Sequence, residues 1–577
     1  MSRATRADAA LGLVVALLVT GPLWLGGGFW LVGDMVFVPD QPLTAGSWGL
    51  DGALPRAVPM DGLLALLDEA VPGEVLQRLL LTLPLVAAAV GTGRLVRRVL
   101  GPQPFVVRAA AILTVCWNPW VQVHLQQGQW AILAGALLLP WAALAAIGDD
   151  GAGRDVGWAR LGVVLVLSAI CSPSSGVCAV VVALVLGPRR ALPRTLGLGA
   201  VANLPWLVPA LVAATAARVS TGEVFAAFAP RAESGLGVVP SLLGLGGSWK
   251  LSLVPPEREV ALVVATTALI SAAALVALAR ADLSDGGGPG AGRWLALGAG
   301  AFAVAALPAL GGAPLLAALA ERVAPLAMLR DAHRFLIPAV LPLALGLAAL
   351  VARLRAARAR PGATALAAAL VAAPVLLLPS LAWGPGLTRA AYPADYAEVG
   401  AVLRARPGAV VVMPWEGSYR AFAWAGGRAW LDPAPRALPG RVLVDDRTLL
   451  TDPATGRLVV VPSEDPAVGR VARALAAPVD QRGAALRAIG VRYLLVEQGL
   501  GLPDEPVAGA VPVYGGPYLQ LLDLGEPPPA RGRASVVPDP PIGQILLVIA
   551  GQVGGFGLLL VGAVTILRSR SNGRHTP

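Results

Sequence analysis

Residues 11–33, LGLVVALLVTGPLWLGGGFWLVG, make an apolar run that is followed directly by GDMVFVPDQP at 33–42. A membrane helix needs about 20 predominantly apolar residues, so the run reads as a first span over 10–33. It is too long and too Trp-rich for a cleaved signal peptide, and no small-residue cleavage site follows it, so a retained span is expected. Two carboxylates, Asp34 and Asp40, then stand at the mouth of that span. The rest of the chain agrees with this reading. Its 577 residues are 56% hydrophobic and only 14% charged, with a positive mean hydropathy. A soluble protein of this size would carry far more charge, so the bilayer is its solvent.

Further apolar runs predict spans over 79–96, 104–122, 130–147, 194–216, 260–280, 294–311, 335–354, 363–383 and 542–567. Between the fourth and fifth lies LGVVLVLSAICSPSSGVCAVVVALVLG, 161–187, split by SPSSG and flanked by arginine at both ends. Arginine on both sides predicts that the segment enters and leaves on one face, as a half-depth hairpin buried by neighbouring helices. Arg3 and Arg6, then Arg94, Arg97 and Arg98, then Arg280 and Arg293, then Arg353, Arg355, Arg358 and Arg360, and finally Arg568, Arg570 and Arg574 all fall on one side with that hairpin counted as non-crossing. The positive-inside rule makes that side cytoplasmic. The opposite side receives the loops 34–78, 217–259 and 312–334 and the long segment 384–541. In the last, helix-like stretches (AEVGAVLRA, VGRVARALAA, RGAALRAI) alternate with short β-rich runs (AVVVMPW, RVLVDD, RLVVVP, VRYLLVE). The expected organisation is a helical polytopic domain over 1–383, a small extracytoplasmic α/β domain over 384–541, a final span over 542–567 and a cytoplasmic tail over 568–577.

The net charge of +10, from 45 Lys and Arg against 35 Asp and Glu, does not imply a nucleic-acid partner. The arginines fall in short clusters between apolar runs, with no patch of interleaved aromatics. Only one of the 45 is lysine, Lys250; with the Ala, Gly and Arg load this is the composition of a GC-rich, actinobacterial genome. Cys116, Cys171 and Cys178 lie in or beside apolar runs without zinc-ligand spacing and read as packing residues.

Three constellations could carry chemistry. In the first loop the amphipathic stretch DGLLALLDEA reads as a helix lying on the membrane with a solvated acidic face. Asp34, where the dielectric changes, has two readings: a general base, or with Asp40 a cap for a short helix. In VCWNPWVQVHLQQGQW, 115–130, the tryptophans 117, 120 and 130 read as an interfacial belt, whereas His124, Gln126, Gln127 and Gln129 could hydrogen-bond a sugar or a phosphate. In MLRDAHRFLIP, 328–338, Arg330, Asp331, His333 and Arg334 converge within about one turn if helical. Two guanidiniums there suit a lipid phosphate, with headgroup anchoring or an internal Arg–Asp pair as the plainer account. SPSSG could line a polar pocket, though a hairpin tip needs such residues anyway. No Walker loop, zinc-ligand set, nucleophile elbow or dinucleotide fingerprint stands at a credible position. Acids are also missing from the span centres, which weighs against ion-coupled transport.

Together, the acid of GDMVFVPDQP, the NPW…GQW junction, the cluster in LRDAHRF and the C-terminal α/β domain resemble the GT-C superfamily of polytopic glycosyltransferases. YPADYAEVGAVLRARPGAVVVMPW and LRAIGVRYLLVE are similar to the outer domain of a related bacterial membrane-protein group. The resemblance implies transfer of a hexosyl or pentosyl unit from a polyprenyl-phosphate-linked sugar to an envelope glycan or lipid acceptor, at the outer face of the plasma membrane. It implies Asp34 as base, Asp40 as helper or metal ligand, and a divalent cation, Mg or Mn, as cofactor. It further implies Arg330 and Arg334, with Asp331 and His333 in the same cluster, at the donor phosphate. His124, Gln126 and Gln129 would lie near the sugar or phosphate. The chain departs from the commoner pattern in lacking a second paired acid in a later outer loop, where Glu223, Glu233, Glu257 and Glu259 are the only substitutes. The rival readings are a lipid-linked glycan flippase or exporter, and a non-catalytic scaffold for envelope assembly.

Overall fold

The computed structural model describes residues 2–148, 153–213, 222–283, 288–384, 386–451, 456–501, 507–528, 535–537 and 539–572; Arg574 of the topology argument lies outside them. Among these residues, eight helices are long and apolar enough to cross a membrane: Arg3–Trp24, Gly73–Leu100, Phe105–Gln126, Trp130–Ile147, Arg189–Ala213, Ala261–Ala279, Pro325–Ala356 and Ile542–Ser569. The chain is thus a polytopic α-helical membrane protein, and it carries a small sheet-bearing domain. Where the sequence predicts full spans over 294–311 and 363–383, the helices are shorter, Ala291–Ala306 and Ala363–Leu376. A proline-led 3-10 turn follows each, Pro308–Leu310 and Pro379–Leu381, because proline cannot continue the hydrogen-bond ladder.

Two further expectations change. The first helix stops at Trp24, ahead of the glycine trio 26–28. Three glycines in a row make a helix costly, and the chain continues instead as a short strand, Phe29–Trp30, antiparallel to Arg389–Ala390. Asp34 therefore follows an extended excursion and does not close the helix. The segment 161–187 is a pair of packed helices, Arg154–Cys171 and Pro173–Leu186, turning at Ser172, whose hydroxyl accepts from the Ser175 amide at 3.0 Å. Its first arm of 18 residues is about 27 Å long at 1.5 Å per residue, close to the ~30 Å of a bilayer core. Neither arm is among the eight span-length apolar helices, and the hairpin returns to the end it started from.

At that end the arginines satisfy the helix termini. Arg98 donates to the Gly148 carbonyl at 3.1 Å, Arg293 to that of Gly187 at 2.6 Å, and Arg353 to that of Arg280. Asp8, fully buried in the first helix, receives Arg97 at 2.6 Å and Arg108 at 2.8 Å. This cluster of one aspartate and two arginines ties three helices together.

The sheet domain is a three-layer sandwich. Its five strands run in the order 511–515, 519–523, 491–497, 409–413, 442–443, with the last three parallel and the first two antiparallel additions. Every residue of Ala409–Met413 is buried, as expected of a parallel strand covered on both faces. Val410 and Val412 meet Tyr396, Val399 and Leu403 of the helix Asp395–Ala405. Val411 and Met413 meet Val468, Val471 and Leu486 from the helices Pro466–Leu475 and Val479–Ala488. The run RLVVVP falls outside this sheet and pairs 458–461 with 448–451.

A short hairpin, Tyr419–Ala421 and Ala429–Leu431, leaves the sandwich and joins the bundle core through Phe422 and Trp430. Beneath it the buried Arg420 guanidinium ion-pairs with Asp432 at 3.1 Å and Glu497 at 3.2 Å and donates to the Pro414 carbonyl at 2.8 Å. Burial, and then the neighbouring Asp432 charge, holds the Glu497 carboxyl well above the usual glutamate range.

Two stability effects follow. Replacing Asp8 by Ala strands the Arg108 charge in the interior, which costs on the order of 3 kcal/mol; a clear drop in thermal unfolding temperature in detergent is expected, and no drop would make the pair dispensable. Glu497 binds its proton more tightly folded than unfolded, so its contribution is full below the unfolded value of 4.5 and is lost as pH rises toward the folded value. Glu497→Gln should flatten that fall in thermal stability above pH 4.5, and an unchanged pH dependence would contradict the assignment.

Candidate active site

Asp34 owes its place to two glycines that cross back to back. Gly33 and Gly128 both have positive φ, 52° and 76°. A Cβ on Gly33 would sit 2.2 Å from the Gln127 carbonyl oxygen, and one on Gly128 would sit 2.0 Å from that of Val32. The contact lets the Asp34 amide donate to the Gln127 carbonyl at 2.8 Å, while the Leu431 amide donates to the Gly33 carbonyl at 2.8 Å. The first loop, the 115–130 junction and the hairpin of the sheet domain thus meet at one residue.

The Asp34 side chain faces a cavity of about 330 Å³. Around it stand Gln129 and Trp130 from the junction, Ser172 and Ser174 from the helical hairpin tip, Trp206, and the guanidiniums of Arg56, Arg334 and Arg436. Gln129 Nε2 donates to Asp34 Oδ2 at 3.3 Å, and the Tyr419 hydroxyl donates to Oδ1. Gln129 is 8% exposed, and its Oε1 has no hydrogen-bond partner. Three guanidiniums against the carboxylates of Asp34 and Asp61 leave the lining cationic. Each guanidinium is also steered by a carboxylate: Arg334 by Asp331 at 2.8 Å, Arg436 by Asp61 at 3.3 Å, and Arg56 by Asp446. Through Arg56, Asp61 and Arg436 the cavity continues into a second chamber of about 400 Å³ between the first loop and the sheet domain.

The structure thus brings Asp34, Gln129 and Arg334 together, with Asp331 behind Arg334. Arg330 turns away; it ion-pairs with Glu464 at 3.2 Å and lies over the Phe228 ring at 5.1 Å. The expected α-helical turn at 328–338 is part of a 3-10 segment, Ala324–Ala339, broken at Asp331 (φ −96°, ψ 71°), which sends neighbouring side chains apart. His333 and His124 point into the bundle. Their rings stack at 5.5 Å, and each has one ring nitrogen at a backbone carbonyl, Gly246 at 3.0 Å and Trp120 at 2.8 Å. Both serve packing and neither lines the cavity. Gln126 lies outside the lining, and Asp40 is exposed away from it.

Trp117 and Trp120 are also buried and do not form an interfacial belt. Their indole N–H groups donate to the carbonyls of Leu378 at 2.9 Å and His333 at 3.1 Å. Among the described residues no three His, Cys, Asp or Glu come together; the cavity itself offers two carboxylates, Asp34 and Asp61.

Tyr419 and Arg436 reach the site from the sheet domain, and no local sequence pattern marks them. Arg56 carried a signal, as one of two bases in an acidic loop.

No family model matches the chain, and no curated protein matches it by sequence. In three dimensions it is similar to the arabinofuranosyltransferase AftD from mycobacteria, solved by single-particle cryo-EM. The TM-score is 0.57 and the identity 21%, over 91% of this chain and 40% of that one. Two classes of a point mutant of AftD give TM-scores of 0.56 and 0.53 at 20% identity, covering 92% and 91% of this chain and 42% of theirs. This chain spans less than half the length of that enzyme. What the two share over the matched part is the fold.

Proposed function

We propose that the protein is a membrane glycosyltransferase that moves a sugar from a polyprenyl-phosphate donor to an envelope glycan or lipid acceptor. The observation that carries this reading is the single cavity in which Asp34 faces Arg56, Arg334 and Arg436. Asp34 takes the proton of an acceptor hydroxyl as its oxygen attacks the anomeric carbon. The bond from that carbon to the phosphate oxygen breaks, and the lipid phosphate leaves with the electron pair. Guanidiniums suit the charge that gathers on it. The unpartnered Gln129 Oε1 is an acceptor for a sugar hydroxyl, which would remove the cost of leaving it buried and unpaired. The adjoining chamber, lined by both arginines and carboxylates, suits the acceptor. AftD's name makes arabinofuranose the first sugar to try.

The orientation belongs to the same proposal. Arg97, Arg98, Arg293 and Arg353 gather at the end of the bundle where the hairpin 154–186 begins and ends, and the Asp34 cavity holds the tip of that hairpin. By the positive-inside rule the termini are cytoplasmic and the cavity opens on the outer face.

The test uses the full chain in lipid nanodiscs with synthetic polyprenyl-phosphate arabinofuranose and an oligosaccharide acceptor. Base catalysis is worth typically 10²–10⁴-fold, so Asp34→Asn should lower kcat by roughly that factor with the protein still folded. An exporter would show no transfer even as wild type, whereas full transfer by Asp34→Asn would defeat the assignment of Asp34 as the base. Arg334→Ala should reduce transfer roughly 10- to 100-fold, the worth of a charge-assisted hydrogen bond, while Arg330→Ala stays within a few-fold of wild type. Equal losses at both positions would mean that the cavity does not separate them.

A further inference from the structure

We infer that Tyr419, delivered by the sheet domain, is a positioning residue for Asp34, so that the reactive site is completed only when that domain is seated. The inference rests on reading Asp34 as the base.

The geometry is specific. Asp34 has two side-chain donors on its two oxygens, Gln129 Nε2 on Oδ2 and the Tyr419 hydroxyl on Oδ1. The carboxylate torsion of an aspartate is otherwise broad, and a second donor on the opposite oxygen fixes its plane. That plane decides whether a free lone pair points at the acceptor proton, and misplacement of a reacting group is costly.

Tyr419 is itself held on a short lever. It pairs with Leu431 across the hairpin, and the Leu431 amide is the group that donates to the Gly33 carbonyl, one residue before Asp34. The strand alternates, so Tyr419 projects outward and Arg420 inward. Arg420 is clamped there between Asp432 and Glu497, and the Asp432 amide donates to the Ser418 carbonyl at 2.7 Å. A buried charge network thus sits directly behind a tyrosine that is 44% exposed. Desolvation of the hydroxyl, and then the Asp34 charge, push the phenol well above its usual value, so it stays a donor across the working range.

The test is a double-mutant cycle on the full chain, with the nanodiscs, donor and acceptor described above. Tyr419→Phe keeps the ring and removes only the hydroxyl. It should lower kcat roughly 10-fold, as loss of a hydrogen bond to a charged group does, with KM for the donor within 2-fold. Adding Tyr419→Phe to Asp34→Asn should change kcat less than 2-fold, because the tyrosine acts through the aspartate. A merely structural tyrosine would instead multiply the two losses and lower the unfolding temperature. Wild-type kcat in Tyr419→Phe, or multiplied losses, overturns the inference and leaves the glycosyltransferase reading intact. Absence of transfer by the wild-type chain overturns both.

Discussion

The approach of Gly33 to Gly128 is the contact on which the site depends. Each glycine presents bare backbone to the other segment at a distance that no Cβ could occupy. Both adopt the left-handed φ that glycine alone accepts without cost. Because the two chains can touch, the Asp34 amide finds a carbonyl on the 115–130 junction, and Gly33 still has its own carbonyl free for the sheet domain. One residue of extra bulk at either position would push the aspartate away from Gln129 on one side and from the 419–431 hairpin on the other.

The joint between bundle and sheet domain divides its labour. Its adhesion is aromatic: Phe29 packs edge-on to Tyr392, and Tyr392, Phe422, Trp424 and Trp430 form a continuous cluster with the bundle core. Area of that kind is the dominant favourable term in such packing. Its ion pairs, Arg56 with Asp446, Arg436 with Asp61 and Arg330 with Glu464, lie where the charges are partly exposed and contribute little adhesion each. Their service is placement. They set which arginines face the cavity and at what angle, and Arg330, paired outward to Glu464, is thereby removed from it.

Architecture was legible in the sequence wherever one physical rule dominated. Apolar length located the long spans, and arginine at both flanks of 161–187 located a segment that returns to its own side. Asp34, Gln129 and Arg334, which line one cavity, stand out in the sequence as polar groups at apolar boundaries. The misreadings share a cause, namely assuming one regular periodicity through an irregular stretch. Three glycines end the first helix early, and prolines shorten two others. Around Asp331 the chain runs at three residues per turn and then breaks, so Arg330 and His333 do not share a face with Arg334. His124 reads as a sugar or phosphate contact because it stands with three glutamines at a helix junction, but a carbonyl at 2.8 Å and a stacked indole at 3.6 Å satisfy it. Tyr419 and Arg436 were invisible. Each lies hundreds of positions from the loop it meets, and only the folded chain relates them.

The pairing of charges around the cavity bears on how such a site can work. Arg56, Arg334 and Arg436 each hold a carboxylate already, and among the described residues Asp34 forms no ion pair; its partners are an amide and a phenol. A carboxylate tied to a guanidinium would have to give up that attraction on taking a proton. One held by neutral donors breaks no ion pair on taking a proton, although its charge-assisted hydrogen bonds weaken. The guanidiniums in turn are oriented before any anion arrives, so little reorganisation is left for the moment when charge develops. On the proposed reading, keeping Asp34 as proton acceptor apart from the guanidiniums inside one cavity of about 330 Å³ lets both act on one ligand without neutralising each other.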